Sequence, residues 1–160
     1  MSIRTLFLVL MAIVCVLGGA LMSWSLWNYF ESAKRPEQPC SSIIQGANLI
    51  DQYQSPYQFN GVITWWPQAN KLTLFGVKSD KDNNGIVFDR ALQLQTVTAK
   101  KGVIQAKISD LKIYNDDKLP PGYVILGEKG KDLTLLFKPI DRNSWLMLIN
   151  DNWIMMCENK

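Results

Sequence analysis

The sequence predicts an N-terminal transmembrane helix followed by a mainly-β domain, an antiparallel meander of barrel-like or lipocalin-like form. Three observations predict it. Residues 5–30, "TLFLVLMAIVCVLGGALMSWSLWNYF", carry no charge. From Pro56 onward, β-branched, aromatic and other apolar residues recur at alternate positions in short runs, the period of a half-buried strand. Brief segments rich in Gly, Pro, Asn and Asp separate those runs, as hairpin turns do.

The helix comes first. Thr5 to Ser23 would rise about 28 Å at ~1.5 Å per residue, close to the ~30 Å hydrocarbon core of a bilayer. Trp24, Trp27 and Tyr29 follow, and rings with a polar edge favour the membrane boundary. A cleaved secretory signal is the competing reading. Arg4 precedes the apolar run, and "GGA" at 18–20 sets small residues before a cut after Ala20. The apolar run continues past that point through "LMSWSLW", which favours an uncleaved signal anchor. Lys and Arg nearly balance across the span, with Arg4 before it and Lys34 and Arg35 after. The short head then sets the N-terminus inside and the rest outside. The expected plan is a cytoplasmic head at 1–4, a transmembrane anchor at 5–30, a linker at 31–39 and an extracytoplasmic β domain at 40–160.

That placement gives the cysteines a meaning. Cys15 lies in the span, Cys40 just after the linker "ESAKRPEQP", and Cys157 near the end. An extracytoplasmic compartment permits disulfides. A Cys40–Cys157 bridge would close nearly the whole outer domain, a loop long enough for about 4–5 kcal/mol in the chain-entropy view.

The outer domain is long enough for one core. Its first segment, "CSSIIQGANLIDQYQSP", reads as a helix broken at Gly46 or as a strand. "YQFNGVITWW" (57–66) and "KLTLFGVK" (71–78) form a hairpin about "PQAN", with Leu72, Leu74 and Gly76 on one face of the second arm. In the next run Leu92, Leu94, Thr96 and Thr98 share a face. "AKKG" turns the chain into a strand carrying Ile104, Ala106 and Ile108, with Gly102 available for positive φ. "YNDDKLPPG" (114–122) is a loop, since Pro120 and Pro121 cannot extend a ladder. Four further strands are expected: "YVILGE" (123–128), "DLTLLFKP", "SWLMLIN" and "WIMMC". The strand edges need cover, which a closed or partly closed barrel provides, as does a curled sheet packed on the 40s segment.

Composition narrows the chemistry. The chain has no histidine, which removes His-dependent nucleophiles and His-bound zinc. Its cysteines are too dispersed for a metal cluster, and no phosphate-cradling glycine motif is present. Asp116 and Asp117 are adjacent carboxylates in one loop, and Asp80 and Asp82 lie in another. "DKDNNG" offers oxygen ligands and a glycine but lacks the remainder of a calcium loop, so both pairs read as solvated loop charges. Neither catalysis, a metal nor a cofactor is expected. Seventeen basic residues against 14 acidic, interspersed, give no concentrated stripe for nucleic acid.

Aromatic and small residues point to contacts instead. Trp65 and Trp66 must face opposite sides of a strand. One fills the core and the other faces solvent, another layer, lipid or a ligand. Trp145 and Trp153, near the last hairpin, are candidates for the same surface. In the span, Cys15, Gly19 and Ser23 recur every four residues, a spacing that lets helices approach closely.

With a three-residue head, one anchor, Cys40 soon after it and a Trp-containing final hairpin ending "MMCENK", the chain resembles the FidL-like family of small enterobacterial inner-membrane proteins. The layout is also similar to that of ToxS-type accessory proteins. The resemblance implies a periplasmic β domain that binds another membrane protein, such as a one-component transcription regulator of the ToxR or CadC type. The alternative is a stand-alone binder of a small amphipathic ligand. A third reading is an envelope-assembly or adhesion accessory.

Overall fold

The computed structural model describes residues 3–32, 35–50, 53–79, 84–120, 122–150 and 153–159. The chain forms two compact units, Met1–Lys34 and Arg35–Lys160.

The first unit is one helix, α1 (Ile3–Ser32). Within it Leu10–Trp27 is an 18-residue stretch of mean hydropathy 1.9, with none of it buried. Such a helix fits a membrane anchor or a signal sequence. It overruns the expected 5–30 span by two residues at each end.

The second unit is a closed antiparallel barrel of eight strands in sequence order. They are β1 (Cys40–Ile50), β2 (Pro56–Trp66), β3 (Lys71–Ser79), β4 (Gly85–Lys100), β5 (Val103–Ile113), β6 (Asp132–Pro139), β7 (Ser144–Ile149) and β8 (Trp153–Asn159). Closure leaves no free edge at the seam: Cys40 pairs with Asn159 and Ser41 with Glu158. The expected barrel is therefore present. So is the expected inner face of β3, where Leu72, Leu74 and Gly76 are buried.

Three local features depart from simple alternation. The 40s segment is a strand, with a bulge between Ile44 and Ala47. Gly46 takes φ 63° there, and its amide donates to Asn60 Oδ1 at 2.7 Å; a side chain would strain that backbone. The bulge switches the inward phase, so Ile44 and Leu49 pack on the core while Ile43 and Ile50 face out. In β4 a register shift between Thr96 and Thr98 leaves Val97 exposed. Thr96 and Thr98 are exposed as well, so the face expected for Leu92 and Leu94 stops short of them. In β5 the shift opposite Gln93 and Leu94 falls at Ser109, whose hydroxyl donates to the Gln93 carbonyl at 3.1 Å. The β4–β5 turn needs positive φ at both central residues, and Lys101 and Gly102 supply it at 52° and 81°.

"YVILGE" is not a strand. Residues 114–131 join β5 to β6 without regular structure. Pro120, which cannot donate to a ladder, and Gly122, at φ 80°, turn the chain across the barrel end rather than along a neighbour. The eighth strand is supplied by the 40s segment. The expected linker is also shorter. Residues 35–39 belong to the second unit, with Pro36 buried and the Glu37 carbonyl accepting from Gln68 Nε2.

Candidate functional site

The two ends of the barrel are closed by different means. At one end lie the β2–β3, β4–β5 and β6–β7 turns and the Cys40–Cys157 disulfide, whose Cα atoms stand 5.3 Å apart across a sequence separation of 117. Trp65 packs on Phe137, ring centroids 6.1 Å apart, and Trp145 is buried beside Cys157 in the ladder.

Residues 114–131 plug the opposite end. Leu119, Tyr123 and Leu126 join the buried core, against the inward side chains of β2, β3 and β4. Arg90, on β4, is 4% exposed. Its Nε donates to Asp117 Oδ2 at 2.7 Å, Nη2 to Oδ1 at 3.2 Å, and Nη1 to the Tyr123 carbonyl. The Asp117 side chain is fully buried and also accepts from the amides of Asp89 and Leu119. Its four acceptor contacts satisfy a charge that would otherwise be costly to bury. Lys78, on β3, donates to the Tyr123 hydroxyl, with its ammonium 4.9 Å from the Tyr57 ring centroid and 4.2 Å from that of Tyr123. Tyr53 adds a third ring, 6.3 Å from Tyr123. A void of about 10 Å³ lies beside Arg90, Leu74, Leu92 and Leu126.

Asp117 is therefore not the solvated loop charge expected of "YNDDKLPPG"; its partner Arg90 lies 27 residues away, beyond the reach of local pattern. Asp116 is exposed. Asp89 is half-buried, and burial first, then the Asp116 and Asp117 charges, raise its pKa above the ordinary 3.8. Asp80 and Asp82 lie outside the described residues. Among those described, no three Cys, Asp or Glu side chains gather as metal ligands would.

The outer wall divides into two kinds of surface. Ile43, Val62 and Phe75 stand opposite one another across β1, β2 and β3, all outward. Ile154 and Met156 continue the apolar face on β8, 64% and 54% exposed. Ile43 and Phe75 are 75% and 55% exposed. A surface hollow of about 440 Å³ opens here, lined by Ile43, Gln45, Asn60, Val62, Phe75 and Val77 among others. Beneath it Gly61 and Gly76 are paired. A Cβ on either would strike the Phe59 ring and the facing backbone, so the glycines let Phe59 stack on Phe88 at 5.4 Å and meet Trp153 edge-on at 5.6 Å. The β4–β5 wall is different: Gln93, Gln95, Gln105, Lys107 and Lys112 face solvent.

The candidate tryptophans do not form one surface. Trp65 and Trp145 are buried, and Trp153 points inward on to Phe59. Only Trp66 faces out; its Nε1 donates to Thr73 Oγ1 at 3.1 Å and the Lys71 ammonium lies 5.3 Å from its ring. Strand parity explains this: the inward phase of β2, β7 and β8 falls on Trp65, Trp145 and Trp153. The exposed apolar residues are instead aliphatic ones and Phe75. Their signal in the sequence was apolar residues at both parities of β1, β2 and β8, such as Val62 beside Ile63 and Ile154 beside Met155. In α1, Cys15, Gly19 and Ser23 share a face by their spacing. Cys15 is a free, exposed thiol, and the Ser23 hydroxyl donates to the Gly19 carbonyl at 2.9 Å.

No family model matches the chain, and no curated protein or solved structure does so.

Proposed function

We propose that the chain is a single-pass inner-membrane protein, N-terminus in the cytoplasm, whose periplasmic barrel is an accessory module that binds and stabilises another membrane protein. The observation that carries this reading is the outward apolar face of β8, β1, β2 and β3, set against a mostly polar β4–β5 wall on the same barrel. Contiguous exposed apolar surface on one side of a domain marks a contact site. The uncharged Leu10–Trp27 stretch of α1 supports the anchor, and the disulfide supports an oxidising compartment. The resemblance to FidL-like and ToxS-type proteins supports a one-component transcription regulator as the partner. The reading requires no chemistry of the barrel itself, only binding.

A photocrosslinking residue placed at Phe75 or Ile43 of the full chain, in native membranes, should yield a discrete adduct with another membrane protein. The same residue at Gln105 should not. Equal adducts from both walls, or none from either, would overturn the reading.

A further inference from the structure

We infer that the 114–131 segment occupies a latent binding site for a single-chain carboxylate amphipath, with Arg90 as the headgroup receptor. Four observations lead there. The segment is the one long inter-strand connection in the domain, since the other turns run from two to five residues; long loops of this kind are usually functional. It places the apolar side chains of Leu119, Tyr123 and Leu126 in the core and, beside them, the Asp117 carboxylate on Arg90. Every hydrogen bond that the Arg90 side chain makes among the described residues ends on this segment, at Asp117 or the Tyr123 carbonyl. Lys78, the other cation at the mouth, also donates to Tyr123.

These facts fix the class of ligand. If the plug lifted alone, it would leave a buried guanidinium without acceptors, a costly state. If an uncharged apolar molecule replaced it, the arginine would be equally stranded. A fork of guanidinium donors matches a planar carboxylate in two-point contact, so a ligand that brings its own carboxylate takes the place of Asp117 on Nε and Nη2. Its chain then takes the space of the three apolar side chains, whose carbons outnumber those of a ten-carbon tail. Plug and ligand compete for one site, and loop release reports occupancy. This deepens the amphipathic-ligand reading of the sequence and is independent of the partner surface, which lies on the outer wall.

Hydrogen–deuterium exchange of the full chain in phosphatidylcholine nanodiscs tests it, with decanoate as the probe and decanol and decyltrimethylammonium as controls. Decanoate should accelerate exchange across 115–130 at least about tenfold; the controls should leave it unchanged. Asp117→Asn weakens the internal competitor and should lower the half-effect concentration of decanoate about tenfold, while Arg90→Leu with Asp117→Leu should abolish the response. Acceleration by decanol equal to that by decanoate, or no acceleration in Asp117→Asn at saturating decanoate, overturns the inference. So does a decanoate response retained by the double variant. Should the double variant fail to fold, as judged by circular dichroism, the decanoate–decanol comparison on Asp117→Asn decides alone. Loss of crosslinking from Phe75 would leave this outcome untouched.

Discussion

The two ends of the barrel solve one problem with opposite chemistry. Closing the sheet removes its strand edges but leaves two open mouths through which the core would meet water. At one mouth a covalent bond joins the first and last strands, and Trp65, Phe137 and Trp145 fill the space behind it. At the other, a loop with no regular structure is held by Arg90–Asp117, the Tyr123 carbonyl and Lys78. The first closure is permanent where thiols stay oxidised. The second consists of contacts that an equivalent donor or acceptor can replace, so movement belongs at the plugged end.

The largest effect lies at the stapled end. A loop of 117 residues corresponds to about 5 kcal/mol in the chain-entropy model. Replacing Cys40 and Cys157 with Ala should lower unfolding stability by an amount of that order in denaturant titrations, and reductant should reproduce the loss in the parent. A change below about 1 kcal/mol would mean that the seam is held by packing, and that the contrast between the ends is weaker than the bond suggests.

The plugged end should respond next. Asp117→Ala strands the buried Arg90, a loss of about 3–5 kcal/mol. Because the penalty comes from the uncompensated charge, adding Arg90→Leu to an Asp117→Leu background should return most of it. A double-mutant cycle by chemical denaturation separates the two: a strong coupling term is expected, and additive losses would place the stability of the mouth in Leu119, Tyr123 and Leu126 instead.

The same contrast explains what the sequence disclosed. Much of the stapled end was legible, because alternation in 71–78, 103–108, 132–139 and 144–149 is local and a bridge between Cys40 and Cys157 follows from compartment and position. The plugged end was not. Asp117 looked solvated because its partner sits on another strand, and "YVILGE" looked like a strand because apolar Val124, Ile125 and Leu126 share its composition. The 40s segment looked ambiguous because the bulge at Gly46 breaks the period of two, setting Ile43 and Ile50 outward and Ile44 and Leu49 inward. The contact surface was sought in tryptophans, yet parity places most of them inside. Ring size told of burial, while apolar residues at both parities told of outward exposure.

The smallest effect sharpens the comparison through pH: among the described residues each end holds one perturbed carboxyl, and the two are shifted in opposite directions. Asp141, in the β6–β7 turn of the stapled end, has its pKa lowered, chiefly by the Asn143 amide and then by Ser144; both amides donate to Oδ1 at 2.8 Å. Asp89, beside the plug, has its pKa raised by burial, then by Asp116 and Asp117. A lowered carboxyl binds its proton less well in the fold, so Asp141 contributes stability above 3.8 that is lost as pH falls through its folded value. A raised carboxyl does the reverse: the contribution of Asp89 is full below 3.8 and lost as pH rises through its folded value. Asp89→Asn should therefore raise the melting temperature at pH 7, by no more than about 2 °C for so accessible a group, and leave it unchanged at pH 3. Asp141→Asn should lower it at pH 7, and that difference should shrink as pH falls below 3.8. Melting curves of both variants between pH 3 and pH 7 check the signs. If both shifted in the same direction, burial beside the plug would not be what raises the Asp89 pKa, and the two mouths would not differ in how they hold a carboxyl.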